Sequence, residues 1–299
     1  MRCFYLPDYY YPLPPTHPFP MEKFPQAYNF LVAEIAGLEI CPAPLASVED
    51  LRRVHLEEYL VKLSHAGLSA SEAFRLGFEW TRELFVRCRY ETGGTVAALA
   101  AALEDGLAAN LAGGTHHAFP GCGLGFCLLN DVAVAIRRLH TGKPGLRVLV
   151  ADTDAHQGNG THAIFREDPR VFTYSIHVEK NYPTIKEPGD LDVGLPRWVE
   201  GAGYLGQLQD TLPQAVEKFE PDLAVWISGA DPHEDDRFGQ MRLTSADLDA
   251  RDRFVVSLCR DFEVPLAVLY GGGYNRVPGM TARLHANAVK TAFDVYHGR

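Results

Sequence analysis

The run Leu146-Arg147-Val148-Leu149-Val150 passes directly into A-D-T-D-A-H-Q-G-N-G-T at Ala151 to Thr161, and no other stretch restricts the fold as much. A short apolar run that ends in acids and glycines is the pattern of a buried parallel strand leaving the core at its carboxyl end. Three further runs behave alike. Val171 to His177 is one; Asp222 to Ile227 carries Leu-Ala-Val-Trp-Ile into Ser228-Gly229-Ala230-Asp231; Pro265 to Tyr270 opens into Gly271-Gly272-Gly273-Tyr274-Asn275. Helical stretches lie between them, the βα rhythm of a parallel sheet. The expected fold class is therefore α/β: a single-domain parallel β-sheet flanked by helices, spanning residues 1–299. Its chemistry is expected at the carboxyl ends of the strands, where open α/β sheets place it. With 46% hydrophobic residues, a chain of 299 buries a core without any staple.

The remaining elements follow from local signals. Residues 2 to 6 read as a first strand, and Pro7 to Pro20 is too rich in proline for regular structure. Phe24, Tyr28, Leu31 and Ile35 have helical spacing within Met21 to Gly37, and Leu38 to Cys41 reads as a strand. Ser47 followed by Asp50 resembles a capping box and predicts a helix over Ser47 to Leu63. Gly93-Gly94 is expected to precede an Ala-rich helix from Thr95 to Leu107.

Asp154 and His156 stand two residues apart, so in extended backbone both side chains leave one face and can grip a single ion; Asp152 shares their parity. Gly158 and Gly160 permit a tight turn that brings the backbone close to such a site, with Asn159 free to hydrogen-bond another side chain. Asp231, at a second strand end, completes a three-ligand set. Two carboxylates and a neutral imidazole bring a divalent ion to formal neutrality, and three ligands leave a position open, as in catalytic sites. The adjacent His116 and His117, before a Gly-rich turn, supply bases, and Tyr274 supplies a hydroxyl. The isolated His55, His65, His140 and His285 are expected as hydrogen-bonded core residues, and His162 on a helix surface.

Charge and cysteine usage exclude other classes. A net charge of −10 argues against a nucleic-acid partner, whose phosphates need Lys and Arg. No stretch is long and apolar enough for a bilayer, and M-R-C-F-Y-L-P has no signal-peptide core, so no membrane partner is expected. Six scattered cysteines suit a reducing compartment, and the expected location is cytoplasmic.

In chain order, G-G-T-H-H-A, G-F-C-L-L-N-D, D-T-D-A-H-Q-G-N-G-T, S-G-A-D followed by D-R-F-G, and G-G-G-Y-N resemble the motifs of the histone deacetylase superfamily, which has the arginase-like α/β fold. The resemblance covers nearly the whole chain. H-P-F-P-M-E-K at His17 to Lys23, with K-N-Y-P and D-L-D-V-G-L-P around Lys180 to Pro196, is most similar to the class IV branch and its bacterial relatives. The resemblance implies zinc, with Fe2+ as the alternative, on Asp154, His156 and Asp231. It implies His117 as the general base that later protonates the leaving amine, and His116 as a second imidazole oriented by Asp152. Asn159 falls where relatives carry Asp or Asn beside the base; an amide there withholds a charge and leaves His117 less basic. Tyr274 matches the residue that hydrogen-bonds the substrate carbonyl. Gly125 and Phe126 match one wall of the acyl channel, with Tyr182 facing it, and a K+ or Na+ ion is implied at Asp152, Asp154, His156 and Ser175. Gln157 departs from the second histidine of many relatives. His233 stands where arginases place a carboxylate for a second metal, which implies a single metal here.

The expected function is thus a zinc-dependent amidohydrolase that removes an acetyl or longer acyl group from an Nε-acyl-lysine of a peptide or protein. The alternative is a deacetylase of acetylpolyamines or another small acylated amine; an acidic residue at the rim would decide between them. Two other classes are weaker. A metal-binding scaffold needs neither His117 nor Tyr274, and a two-manganese ureohydrolase needs more carboxylates than Asp231-Pro232-His233 provides.

Overall fold

The computed structural model describes residues 1–298, with the backbone alone at Ala66; residue 299, the last of the expected domain, lies outside them. Eight strands form one sheet: β1 (Arg2–Tyr5), β2 (Glu39–Pro42), β3 (Leu107–Asn110), β4 (Val148–Asp152), β5 (Val171–Val178), β6 (Leu191–Leu195), β7 (Leu223–Ile227) and β8 (Leu266–Leu269). Their order is β2-β1-β3-β8-β7-β4-β5-β6, and every neighbouring pair is parallel. Every residue of β4, β5, β7 and β8 is buried, which is why these strands read as unbroken apolar runs without alternation. Two strands escape that signal. β3 is only Leu-Ala-Ala-Asn, which looks like the end of the preceding Ala-rich helix; β6, at the sheet edge, buries only Val193 and Leu195.

The helices are α1 (Lys23–Glu34), α2 (Val48–Leu51), α3 (Glu57–Val61), α4 (Ala70–Leu76), α5 (Arg82–Asp105), α6 (Asp131–Gly142), α7 (Asn159–Phe165), α8 (Gly201–Phe219), α9 (Ser245–Asp261) and α10 (Met280–His297). α5 lies along β1, β3 and β8 with α6 beside it, while α1, α10, α9 and α8 pack in series and reach the sheet at β3 and at β4 to β6. The chain runs out through β4, β5 and β6 and then returns with β7 and β8, which fill the gap between β4 and β3. Four strand ends, of β3, β8, β7 and β4, therefore stand side by side at one rim.

Local expectations needed correction at several places. α5 does not start after Gly93-Gly94 but runs straight through them from its cap at Thr81. Glycine costs a helix about 1 kcal/mol relative to alanine. Here it permits close approach: a Cβ on Gly93 would lie 1.8 Å from the Pro44 carbonyl oxygen, and one on Gly94 2.0 Å from Tyr9 Oη. The helix expected over Ser47 to Leu63 is capped by Ser47 as anticipated but breaks into α2 and α3. Leu56 is extended between them and donates its N–H to Pro120 O (2.9 Å). Pro7 to Tyr9 forms a single 3-10 turn inside the expected loop. His55 and His140 are buried and hydrogen-bonded as expected; His285 is buried with no hydrogen bond to either ring nitrogen among the described residues, and His65 is exposed. His162 is not on a helix surface: it is buried and faces Glu187 O at 3.0 Å.

Candidate active site

β4 ends at Asp152, and residues 153–156 bend instead of continuing as a strand, so Asp154 and His156 do not meet through strand parity. A chain of side-chain to backbone bonds makes the bend. Asp152 Oδ1 accepts from Asp154 N (3.1 Å), Asp154 Oδ1 from His156 N (3.0 Å), and Asp231 Oδ1 from Ala155 N (2.9 Å). The result sets His156 Nδ1 2.9 Å from Asp231 Oδ2 and 3.1 Å from Asp154 Oδ1. One donor atom from each of Asp154, His156 and Asp231 lies within 4.8 Å of the others, and all three residues are buried. Gly272 donates its N–H to Asp154 Oδ2 (2.7 Å). A Cβ there would fall 2.5 Å from Asp231 Oδ2 and 2.7 Å from Asp154 Oδ2, so only glycine fits behind the two carboxylates. Buried Arg251 holds the Ser228 to Asp231 turn by donating to Gly229 O (2.6 Å) and Ser228 O (3.0 Å).

Burial opposes a charge on His156, but Asp154 and Asp231 outweigh it and hold the imidazole well above its usual range. Burial, then the neighbouring Asp154, pushes Asp231 up to about 7. Two buried carboxylates this close need a compensating positive charge, from shared protons or from a cation. The oxygen and nitrogen donors on the three residues fit a divalent ion.

The two histidines are placed by a residue whose role the sequence did not reveal. Buried Asp131 accepts from Gly114 N (3.1 Å), Thr115 N (2.7 Å), Thr115 Oγ1 (2.5 Å) and Thr95 Oγ1 (2.5 Å), fixing the turn that leads into His116-His117. His116 Nδ1 lies 2.6 Å from Asp152 Oδ2 and His117 Nδ1 2.8 Å from Asn159 Oδ1; the two Nε2 atoms are 3.2 Å apart. Asn159 Oδ1 accepts, so His117 carries its hydrogen on Nδ1 and its lone pair on Nε2. Burial works against a charged His116, but Asp152 and Asp154 prevail and raise it to about 9. Burial, then the charges of His116 and His156, drives His117 well below its usual range. Neither Gly158 nor Gly160 has positive φ, so the expected tight turn is not what requires them. They allow close packing: a Cβ on Gly160 would lie 2.3 Å from Ala118 O, and one on Gly158 2.6 Å from Asp152 Oδ2.

Above this floor opens a cavity of about 340 Å³, running from His117, His156 and Tyr274 past Gly125, Phe126 and Tyr182 to the surface. Gly125 and Phe126 both take positive φ (51° and 66°), held by N–H bonds to Arg75 O (3.1 Å) and Leu76 O (2.7 Å). The Tyr182 ring stands edge-on to His117 at 4.9 Å, and Phe126 lies 5.6 Å from Tyr274. Burial, then Asp154 and Asp231, keeps the Tyr274 phenol well above its usual range and hence protonated. Asp236, whose role was also missed although it belongs to D-R-F-G, accepts from Tyr274 N (2.6 Å), Phe238 N (2.8 Å) and Gly239 N (3.0 Å). Lys23 is a buried cation that periodicity did not flag. It donates to Gly271 O (3.0 Å), and burial lowers it to about 8.

Three other sequence readings find their places. His233 turns away from the cluster, bonding Asn275 Nδ2 (3.1 Å) and Ser245 Oγ (3.2 Å). Gln157 ties down the following loop, donating to Asp192 Oδ1 (2.8 Å) and accepting from Glu187 N (2.9 Å). Ser175 sits opposite Asp152 in the β4–β5 register, with its Oγ 2.9 Å from His177 Nδ1.

The all-parallel sheet gathers Asp154, His156 and Asp231 at one rim, and with the family match this defines a hydrolase acting on amides. Residues 17–291 match the histone deacetylase domain, and the chain belongs to the histone deacetylase family. It is 39% identical over 98% of both chains to an uncharacterized protein of Picosynechococcus sp.. It is 31% identical to the acetoin utilization protein AcuC of Bacillus subtilis, over 94% of this chain and 80% of that one. Histone deacetylase 2 of Arabidopsis thaliana is 30% identical, over 92% of this chain and 73% of the relative. Two solved structures share the fold. The HDA15 HD domain superposes with a TM-score of 0.81 at 19% identity (100% of this chain, 91% of that one), and an HDAC homolog complexed with SAHA with 0.82 at 24% identity (98% and 83%).

Proposed function

We propose that the whole chain, as one cytoplasmic domain, hydrolyses the amide of an Nε-acyl-lysine side chain in a peptide or protein. The observation that carries this reading is the unequal pairing of adjacent histidines: His116 on the carboxylate of Asp152, His117 on the amide of Asn159. Asp152 favours a charged first imidazole and Asn159 leaves the second without a counter-charge, so one site offers a neutral proton acceptor beside a more basic neighbour.

A divalent ion held by Asp154, His156 and Asp231, zinc or Fe2+, supplies Lewis acidity toward the amide carbonyl and toward water. Water adds to the carbonyl carbon as Nε2 of His117 accepts its proton. The C–N bond then breaks and the same proton passes from Nε2 to the departing lysine amine, giving a carboxylic acid and an amine, which exchange the second water proton and leave as carboxylate and ammonium. His116, positive next to the reacting atoms, offsets the negative charge that builds up. The protonated phenol of Tyr274 donates to the carbonyl oxygen as that charge develops. Gly125, Phe126 and Tyr182 enclose the linear side chain and exclude water. A K+ or Na+ ion at Asp152, Asp154, His156 and Ser175 completes the reading.

The test is release of free lysine amine from acetyl-, octanoyl- and myristoyl-lysine peptides by metal-defined protein, with His117→Ala alongside. General-base catalysis contributes roughly 10²- to 10⁴-fold, and His117→Ala should lose turnover by that factor while keeping its metal. Unchanged turnover in His117→Ala would remove the role assigned to it.

A further inference from the structure

The mouth of the channel carries a charge opposite to that of the chain. Acidic residues outnumber basic ones by 38 to 28, yet the charged side chains lining the outer cavity, histidines aside, are Arg75 and Arg237, with no carboxylate among the described lining residues. Both arginines are exposed. Arg237 has no hydrogen bond or ion pair among the described residues, and Arg75 has only a 3.4 Å contact with Ser71 Oγ. Three nearby carboxylates are already engaged, while Glu79 and Glu234 are exposed and line no part of the cavity. Glu72 bonds Lys62 (2.7 Å) and Ser69, Asp235 accepts from Val277 N (2.8 Å), and Asp236 accepts three backbone N–H groups.

Both guanidinium groups stand on backbone that also shapes the channel. Arg75 lies in the last turn of α4, where its own carbonyl takes the N–H of Gly125 and that of Leu76 takes the N–H of Phe126. Arg237 lies inside the Asp236 turn, which bonds Phe238, Gly239 and Tyr274. An acyl-amine chain threaded toward His117 therefore brings whatever flanks it to a mouth lined by two unpaired guanidinium groups. Guanidinium recognises carboxylate through paired N–H donors, and an unpaired arginine at a rim repels cationic ligands.

Building on the amidohydrolase reading, we propose that Arg75 and Arg237 make this site selective for acyl-amines bearing a carboxylate beside the acylated side chain, and unsuited to acylated polyamines. Two sources supply that chemistry: Asp or Glu flanking an acyl-lysine in a peptide, or the α-carboxylate of free Nε-acyl-lysine.

The experiment compares kcat/KM for three acetyl-lysine peptides of equal length with Asp, Ala or Lys on both sides. Free Nε-acetyl-lysine, its methylamide and acetylspermidine complete the set, at low and high salt, with the unmodified protein and R75E/R237E. One solvent-exposed ion pair contributes roughly 1.5- to 5-fold, so two should favour the Asp peptide over the Lys peptide by on the order of tenfold. The difference should lie in KM, shrink at high salt and reverse in R75E/R237E. Acetylspermidine should be the poorest substrate and improve in the same variant. A preference of free acetyl-lysine over its methylamide assigns the α-carboxylate as source; a preference confined to the peptides assigns flanking side chains. Equal kcat/KM for the three peptides together with no preference for free acetyl-lysine over its methylamide, a charge order that survives R75E/R237E, or faster turnover of acetylspermidine than of the Asp peptide would overturn the proposal. Anisotropy titration of the labelled peptides reads the same order without turnover. Absence of hydrolysis on all peptides would thus count against the amidohydrolase reading, and a flat binding order against the arginines.

Discussion

Asp131→Asn keeps the shape of the side chain and removes its charge, which makes it a sharp test of how the histidine turn is held. Oδ1 of Asp131 faces Thr115 N at 2.7 Å and Oδ2 faces Gly114 N at 3.1 Å, while hydroxyls of Thr115 and Thr95 fill the other positions at 2.5 Å each. A hydroxyl can rotate to suit a new partner; a backbone N–H cannot. Whichever way the amide of Asn is turned, its NH₂ meets one of the two backbone N–H groups donor to donor. Charge-assisted bonds contribute about 1.5–3 kcal/mol each, and a buried N–H left without an acceptor costs about 1–3 kcal/mol, so a loss of roughly 3–5 kcal/mol is expected. Asp131 also opens α6, and removing an acid from a first helical turn costs about 0.5 kcal/mol more. Since about 1 kcal/mol moves Tm by roughly 2 °C in a chain of this size, calorimetry should show Tm lower by about 7–11 °C. The turn continues directly into His116 and His117, and a misplacement of about 1 Å at reacting groups costs on the order of a hundredfold, so kcat on an acetyl-lysine peptide should fall well beyond the unfolded fraction. Thr95→Val removes one donor to Asp131 and the acceptor of Asn110 Nδ2 (2.9 Å), and should cost about 1–3 kcal/mol while leaving the two backbone N–H bonds of the turn in place. A Tm within about 1 °C of the unmodified protein together with unchanged kcat in Asp131→Asn would refute this reasoning.

Tyr274→Phe should lower kcat by about a hundredfold, roughly 3 kcal/mol, with little change in KM or melting temperature, because the phenol acts when negative charge develops on the carbonyl oxygen; steady-state kinetics within twofold of the unmodified protein would show that another donor does this. His55 sets a pH dependence of stability. Burial depresses the folded imidazole to about 4, so the unfolded state binds more protons below the ordinary value, and stability present above about pH 6.5 is lost as pH falls toward 4. By pH 5 that amounts to about 2 kcal/mol. His55→Gln retains an acceptor for Asn130 N (3.0 Å) and should show a smaller drop in Tm between pH 7.5 and 5; an identical drop would mean that other groups set the dependence.

The central strands were legible because burial on both faces removes alternation and leaves runs such as Leu223 to Ile227, each ending in the residues of the rim. β3 and β6 were not, since Leu-Ala-Ala-Asn has the composition of a helix and the edge strand buries too few residues to mark itself. Side chains gathered at the cavity floor were legible through residue type: Asp154, His156 and Asp231 converge, and His116, His117, Asn159 and Tyr274 surround them. Their supports were not. Asp131, Asp236 and Arg251 act through backbone groups of distant turns, and no spacing rule pairs a side chain with a carbonyl or N–H many residues away. The same holds for glycines. Gly93, Gly160 and Gly272 are needed because something else passes within a Cβ radius, which depends on the tertiary fold and not on the local chain.

One ion held by Asp154, His156 and Asp231 and used with His117 to hydrolyse an acyl-lysine amide is the centre of the proposed chemistry. Its most direct measurement is a zinc titration of chelator-stripped protein, following metal content and acetyl-lysine peptide hydrolysis together, with Asp231→Ala in parallel. Activity should be absent at the start, rise linearly and saturate at about one zinc per chain, while Asp231→Ala binds little metal and stays inactive. Full activity in the stripped protein, saturation only at two ions per chain, or restored activity in Asp231→Ala would contradict it.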